Sequence, residues 1–126
     1  MSAPLVHIFS AGIQDGKLAA YKGYSREHAT FTEERAPDLL AFHLYLSGDG
    51  RRVHVVQVHP DAEHMDYFMK EVVAEHGVKA YEFLEPGSEQ SEAFGPLNDA
   101  TAEGIRRHGV QLRHHPYHLG GFTRLG

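Results

Sequence analysis

Eleven histidines among 126 residues give this chain most of its capacity for acid–base chemistry. An unperturbed imidazole has a pKa of ~6.5, so near neutrality it can take a proton from a nearby hydroxyl, which is the task of a general base. His7, His43, His54 and His59 fall inside three short apolar runs, where rings on neighbouring strands can meet. Tyr21, Tyr24 and His28 recur at steps of three and four, which puts them on one face of a helix. A buried tyrosine hydroxyl needs a partner, and a histidine four residues on can serve. Each of these groups is either core, bonded to its neighbours, or part of the polar patch in an apolar cavity that makes a small-molecule site.

Other chemistries find less in the sequence. With no cysteine, disulfides, thiolate metal sites and a cysteine nucleophile are excluded. Imidazole suits several transition metals, but no histidine pair stands at i, i+4 on an expected helix. His59 and His64 straddle a strand–helix junction, His114 and His115 point to opposite faces of a strand, and no HExxH spacing occurs. No metal is therefore expected, and no phosphate loop or dinucleotide fingerprint points to a bound cofactor. Ser10, Ser25 and Ser47 lack a nucleophile elbow or a readable base partner.

The elements that must hold these groups can be read from periodicity. Leu5 to Phe9 is a mostly buried strand, and Asp15 to Arg35 is a helix with Asp15 as N-cap and Pro37 as its stop. Leu39 to Ser47 and Arg51 to His59 are strands around Gly48-Asp49-Gly50, the clearest turn signal in the chain. A two-residue Asp49-Gly50 turn would set His43, Tyr45 and His54 on one side, whereas a three-residue turn would separate His43 from His54. Asp61 caps a second helix bearing Met65, Phe68, Met69, Val72 and His76 on one face, with Gly77 just past its end. Val78 to Leu84 leans helical, and Ser88 to Phe94 is a weakly alternating fourth strand. Leu97 to His108 is a short helix closed by Gly109, and Val110 to Leu125 forms one or two strands broken at Pro116 and Gly120-Gly121.

Two β-α-β halves in this order give a ferredoxin-like α+β sandwich with an antiparallel sheet, extended by a C-terminal helix and strand, as one domain over 1–126. Both sides of the central hairpin carry apolar residues: Leu40, Phe42, Leu44 and Leu46 on one, Leu39, Ala41, Val53 and Val55 on the other. Two helices cover one side only. A second copy packing sheet on sheet is expected to cover the other.

The strand Leu40-Ala-Phe-His-Leu-Tyr, the Gly48-Asp-Gly hairpin, and Val53-His-Val-Val-Gln-Val-His-Pro-Asp-Ala running into Met65-Asp-Tyr-Phe-Met resemble the dimeric α+β barrel superfamily, antibiotic-biosynthesis-monooxygenase-like group. The resemblance spans residues 3 to about 95, and His118-Leu-Gly-Gly-Phe is similar to extensions in some of its members. It implies a homodimer and a cofactor-independent monooxygenase acting on a small aromatic phenol or quinol with O₂. The expected site has His43 and His54 as base and anion stabiliser and Tyr45 bonding the ring oxygen. His7, Tyr21, Tyr24, His28, Met65 and Phe68 would line the ligand. The alternative is a non-catalytic dimeric binding or structural protein of the same fold.

Composition limits the partners. The net charge is −5 and no basic run exceeds two residues, which argues against nucleic acid and anionic membrane. The first residues are too short and polar for a signal peptide, and no run approaches the ~18 apolar residues of a membrane span, so a cytoplasmic protein is expected.

Overall fold

The computed structural model describes residues 3–124. Its elements are β1 (Leu5–Gly12), α1 (Leu18–Arg35), β2 (Ala41–Leu46), β3 (Arg52–His59), α2 (Ala62–Phe68), β4 (Gln90–Phe94), α3 (Asp99–Arg107) and β5 (Gln111–His115). They build a sheet of order β2-β3-β1-β4-β5, in which the first four strands are antiparallel neighbours in the ferredoxin-like order. β5 pairs in parallel with β4 after the α3 crossover, so the complete sheet is mixed rather than antiparallel. Leu125 of the expected tail lies outside the described residues.

The hairpin loop is longer than a two-residue turn but keeps its register. Ser47 and Arg52 close the loop, Gly50 takes φ 73°, and its N–H donates to the Ser47 carbonyl at 2.9 Å. The ladder then sets Leu44 beside Val55 and Tyr45 beside His54. Val53 and Val55 therefore join Phe42 and Leu44 on the helix-covered face, not Leu39 and Ala41 on the other as the alternation suggested. The open face still presents Val6, Ile8, Ala41, Val56 and Val58, all half-buried.

Helix boundaries follow local chemistry. Asp61 caps α2, its carboxylate accepting from the His64 N–H at 2.9 Å. Asp15 does not cap α1; Lys17 stands at that position with no side-chain cap, and Asp15 lies in the preceding turn. The second helix ends early. After Phe68 the chain widens into a π turn over Met69–Val73, runs through a turn, and tightens into a 3₁₀ segment over Gly77–Glu82. Phe68 and Val72 still point inward, but the changed pitch swings His76 toward α1. The core lies between this layer and the sheet, centred on Ala11, Ile13, Tyr21, Tyr24, Val53, Val55 and Leu84, with a second cluster of Leu5, Met65, Ala93, Ile105 and Val110. α3 is tied to α2 by Asn98 and Thr101, whose side chains both donate to the Asp66 carboxylate.

Candidate functional site

Core packing leaves a cavity of about 390 Å³ between the sheet and its helical cover. That is within the size range of small-molecule sites. Its floor is the inward face of the central strands: His7 and Phe9 from β1, Leu44 from β2, Val55 and Gln57 from β3, and Ser91 from β4. Tyr21, Tyr24 and His28 of α1 form one wall, and the Met69–Tyr81 stretch forms another. Ile105, His108 and Val110 close the end.

The polar floor is one connected network. His7 Nδ1 lies 3.0 Å from Gln57 Oε1, and His59 Nε2 lies 3.1 Å from the same oxygen. A carbonyl oxygen only accepts, so both ring nitrogens carry hydrogen. His7 Nε2 is then a lone pair, 3.1 Å from Ser91 Oγ, and accepts from that hydroxyl. His7 is 4% exposed, and burial holds its pKa below the ordinary histidine value despite the bond to Gln57. Burial also lowers His59, to about 4, and a proton on His7 or His64 would lower it further. Both rings are neutral near pH 7.

The α1 wall is held from outside. Tyr24 Oη lies 3.1 Å from the His76 carbonyl and 3.2 Å from that of Gly77, and His28 Nδ1 meets His76 Nδ1 at 2.8 Å. Tyr24 stacks on both rings and Phe31 stacks on His76. Burial, with the neighbouring His76, brings His28 down to about 4; burial pushes the Tyr21 hydroxyl up to about 12 and raises Tyr24 as well. The tyrosines stay protonated, so the wall is neutral.

The arrangement of strands and helices matches several solved structures. MupZ from Pseudomonas fluorescens superposes with a TM-score of 0.72 at 16% identity, covering 98% of this chain and 96% of that one. A putative antibiotic biosynthesis monooxygenase from Nitrosomonas europaea gives 0.63 at 16% identity, over 79% of this chain and 95% of that one. A protein of the same description from Caulobacter crescentus gives 0.64 at 12% identity, over 75% and 91%. The fold is that of the antibiotic-biosynthesis-monooxygenase-like proteins. No family model and no curated protein matches the sequence. At these identities the likeness to the monooxygenase-like proteins carries the fold and not a reaction.

Within this monooxygenase-like fold the expected site residues divide. His7, Tyr21, Tyr24, His28 and Phe68 line the cavity. Met65 does not; it is fully buried against Leu5, Ala93 and Ile105. His43, Tyr45 and His54 do share a face, but it is the open one: strand parity turns them away from the cavity that His7 and Gln57 face. Tyr45 is 57% exposed there. Gln57 and Ser91 were not foreseen. Gln57 carried a signal, as the polar residue continuing the buried alternation Val53, Val55. Ser91, in a weakly alternating strand, carried none. Among the described residues no group of three or more His, Asp or Glu side chains is placed to hold a metal ion, and no helix is long and apolar enough to cross a membrane.

Proposed function

We propose that this chain is a cofactor-independent monooxygenase of a small aromatic phenol or quinol, with His7 rather than His43 or His54 as its base. The observation that carries this reading is the acceptor nitrogen of a neutral, oriented imidazole at the floor of a largely apolar cavity. A phenol entering the cavity lays its ring against Phe9, Tyr21 and Tyr24 and brings its hydroxyl to His7, displacing or bonding Ser91. His7 Nε2 takes the phenolic proton. The phenolate is then the electron donor to O₂: a ring carbon bonds one oxygen atom, and the O–O bond breaks. The second oxygen leaves as water with the ring hydrogen and the proton returned by His7, so phenol and O₂ give quinone and water. The protein holds the ring, excludes water and cycles one proton.

The reading includes a homodimer joined through the open sheet face. His43, Tyr45 and His54 lie in that face among Val6, Ile8, Val56 and Val58. The tail beyond β5 adds Tyr117, Leu119 and Phe122, all at least four-fifths exposed on the single chain.

Oxygen uptake with naphthol- and anthrone-type phenols, with and without EDTA, tests the reaction. Turnover is expected in the wild type, with a loss of ~10²–10⁴ in His7→Ala and a far smaller change in His43→Ala and His54→Ala. No uptake across the panel would leave the non-catalytic binding reading.

A further inference from the structure

The floor of the cavity holds a second kind of reactivity that needs no oxygen. We infer that Ser91, His7 and Gln57 form a nucleophile–base–orienter relay, and that Ser91 is acylated by small activated aryl esters. Three features of the geometry support this. The first is the direction of each hydrogen bond. Because Gln57 Oε1 accepts from His7 Nδ1 at 3.0 Å, His7 Nε2 has no proton, and Ser91 Oγ, 3.1 Å away, must donate to it. A serine hydroxyl donating to an imidazole that is itself anchored by a third group is the arrangement that activates a weak nucleophile. An amide serves as orienter in place of a carboxylate in other hydrolytic triads.

The second feature is that the orienter is itself fixed. His59, 1% exposed, donates to the same amide oxygen at 3.1 Å, so Gln57 is held from both sides. The third is access. Ser91 is 4% exposed to solvent, yet it lines the cavity together with His7 and Gln57. A ligand seated in the cavity therefore lies against Ser91 and His7. Phe9, Tyr21, Leu44 and Val55 around it favour an aromatic leaving group.

The reaction balances within the network. Ser91 Oγ attacks the acyl carbon while its proton passes to His7 Nε2; the bond to the aryl oxygen breaks, and the phenol leaves with that proton. Water then attacks the acyl-serine, gives its proton to His7, and releases the carboxylic acid as Ser91 recovers the hydrogen. The net change is ester plus water to acid plus phenol. The relay shares its base with the oxygenation reading but does not depend on it, since neither O₂ nor a phenolate is involved.

The test uses p-nitrophenyl acetate on the full chain, followed by peptide mass mapping. A burst of nitrophenol and one acetyl group on Ser91 are expected, with the acetyl absent in Ser91→Ala and formed at least tenfold more slowly in His7→Ala. No acetyl on Ser91, or a rate indifferent to His7→Ala, overturns the proposal whatever the oxygen-uptake result. A second measurement exploits the absence of cysteine in the chain. In a Ser91→Cys variant the introduced thiol is the only one, and its alkylation by iodoacetamide against pH reports its ionisation. An apparent pKa below the ordinary ~8.5, rising when His7→Ala is added, is expected from a relay; burial alone would raise it. A value at or above ~8.5 with His7 present overturns the proposal.

Discussion

The Nδ1 atoms of His28 and His76 face each other at 2.8 Å, so one ring must donate and the other accept. Charging the accepting nitrogen would set two N–H groups against each other. Burial, and after it Lys79, disfavours charge on His76 further, while Glu27 pulls the other way. The pair fastens α1 to the cavity wall only while at least one facing nitrogen is free of a proton.

Acid should therefore weaken the fold well above the carboxylate range. His28 and His59 have folded pKa values of about 4 against an unfolded ~6.5. Between those values the unfolded chain binds more protons, so their contribution is fully present above pH 6.5 and drains away toward pH 4. For buried rings the loss is on the order of 3 kcal/mol each at full extent. His64, raised by its Asp61 and Asp38 neighbours, acts with the opposite sign, stabilising below its unfolded pKa, but it is exposed and screened. Urea midpoints from pH 7.5 to 4 should fall steadily, and His28→Gln should flatten part of the slope. A level profile would contradict the burial of these rings.

Tyr24→Phe removes the hydroxyl shared by the His76 and Gly77 carbonyls and keeps the ring. It should cost about 1–2 kcal/mol. The loosening should be local: amides of Gly77–Glu82 should exchange faster, while those of β1 change only with global stability. Equal acceleration in both places would mean that the hydroxyl does not fasten this wall.

Much of the frame was legible because buried and exposed faces impose periods of 2 and 3.6 on the sequence. The hairpin, α1 and the Asp61 cap follow from that patterning and from turn chemistry. The helix through His76 was not legible as it is, since a π turn preserves inward apolar residues and differs from an α-helix only in pitch. The site was half legible. Tyr21, Tyr24 and His28 share one helix face, a local property, whereas His7, Gln57 and Ser91 meet through β1–β3 and β1–β4 pairing across 50 and 84 positions. Placing His43 and His54 in the cavity required knowing which face of the hairpin meets the helices. Alternation alone supplied two apolar faces to choose from.

Gln57→Leu should be costly for its size. It leaves two buried imidazole N–H groups, on His7 and His59, without their shared acceptor. A loss of about 1–3 kcal/mol is expected by urea unfolding. His7 should lose its fixed tautomer as well, visible as a change in its ¹⁵N ring shifts. A neutral result would show that the network does not orient His7.

Thr32→Val should do the reverse. The Thr32 hydroxyl is fully buried with no hydrogen-bond partner among the described residues, and valine keeps its shape. Stability should rise by up to ~1 kcal/mol. A loss of that size would reveal a partner for the hydroxyl, such as an internal water.

The proposed dimer should bury upwards of ~2,000 Å². Light scattering at micromolar concentration should give twice the chain mass, and Val56→Asp, in the middle of the open face, should give a monomer that keeps its helical circular dichroism. A wild-type monomer would remove the sheet-to-sheet interface.

The α3–β5 crossover joins the sheet only along β4, yet Ile105, His108 and Val110 make the end wall of the cavity. The proposed reacting groups and this end wall thus sit on separate stretches of chain. A change of side-chain size at His108, outside the core cluster that holds Leu5, Ile105 and Val110, would redraw what fits while leaving His7, Gln57 and Ser91 where β1, β3 and β4 hold them. On the proposed reading, the C-terminal quarter can therefore set which ligand fits without carrying any of the reacting residues.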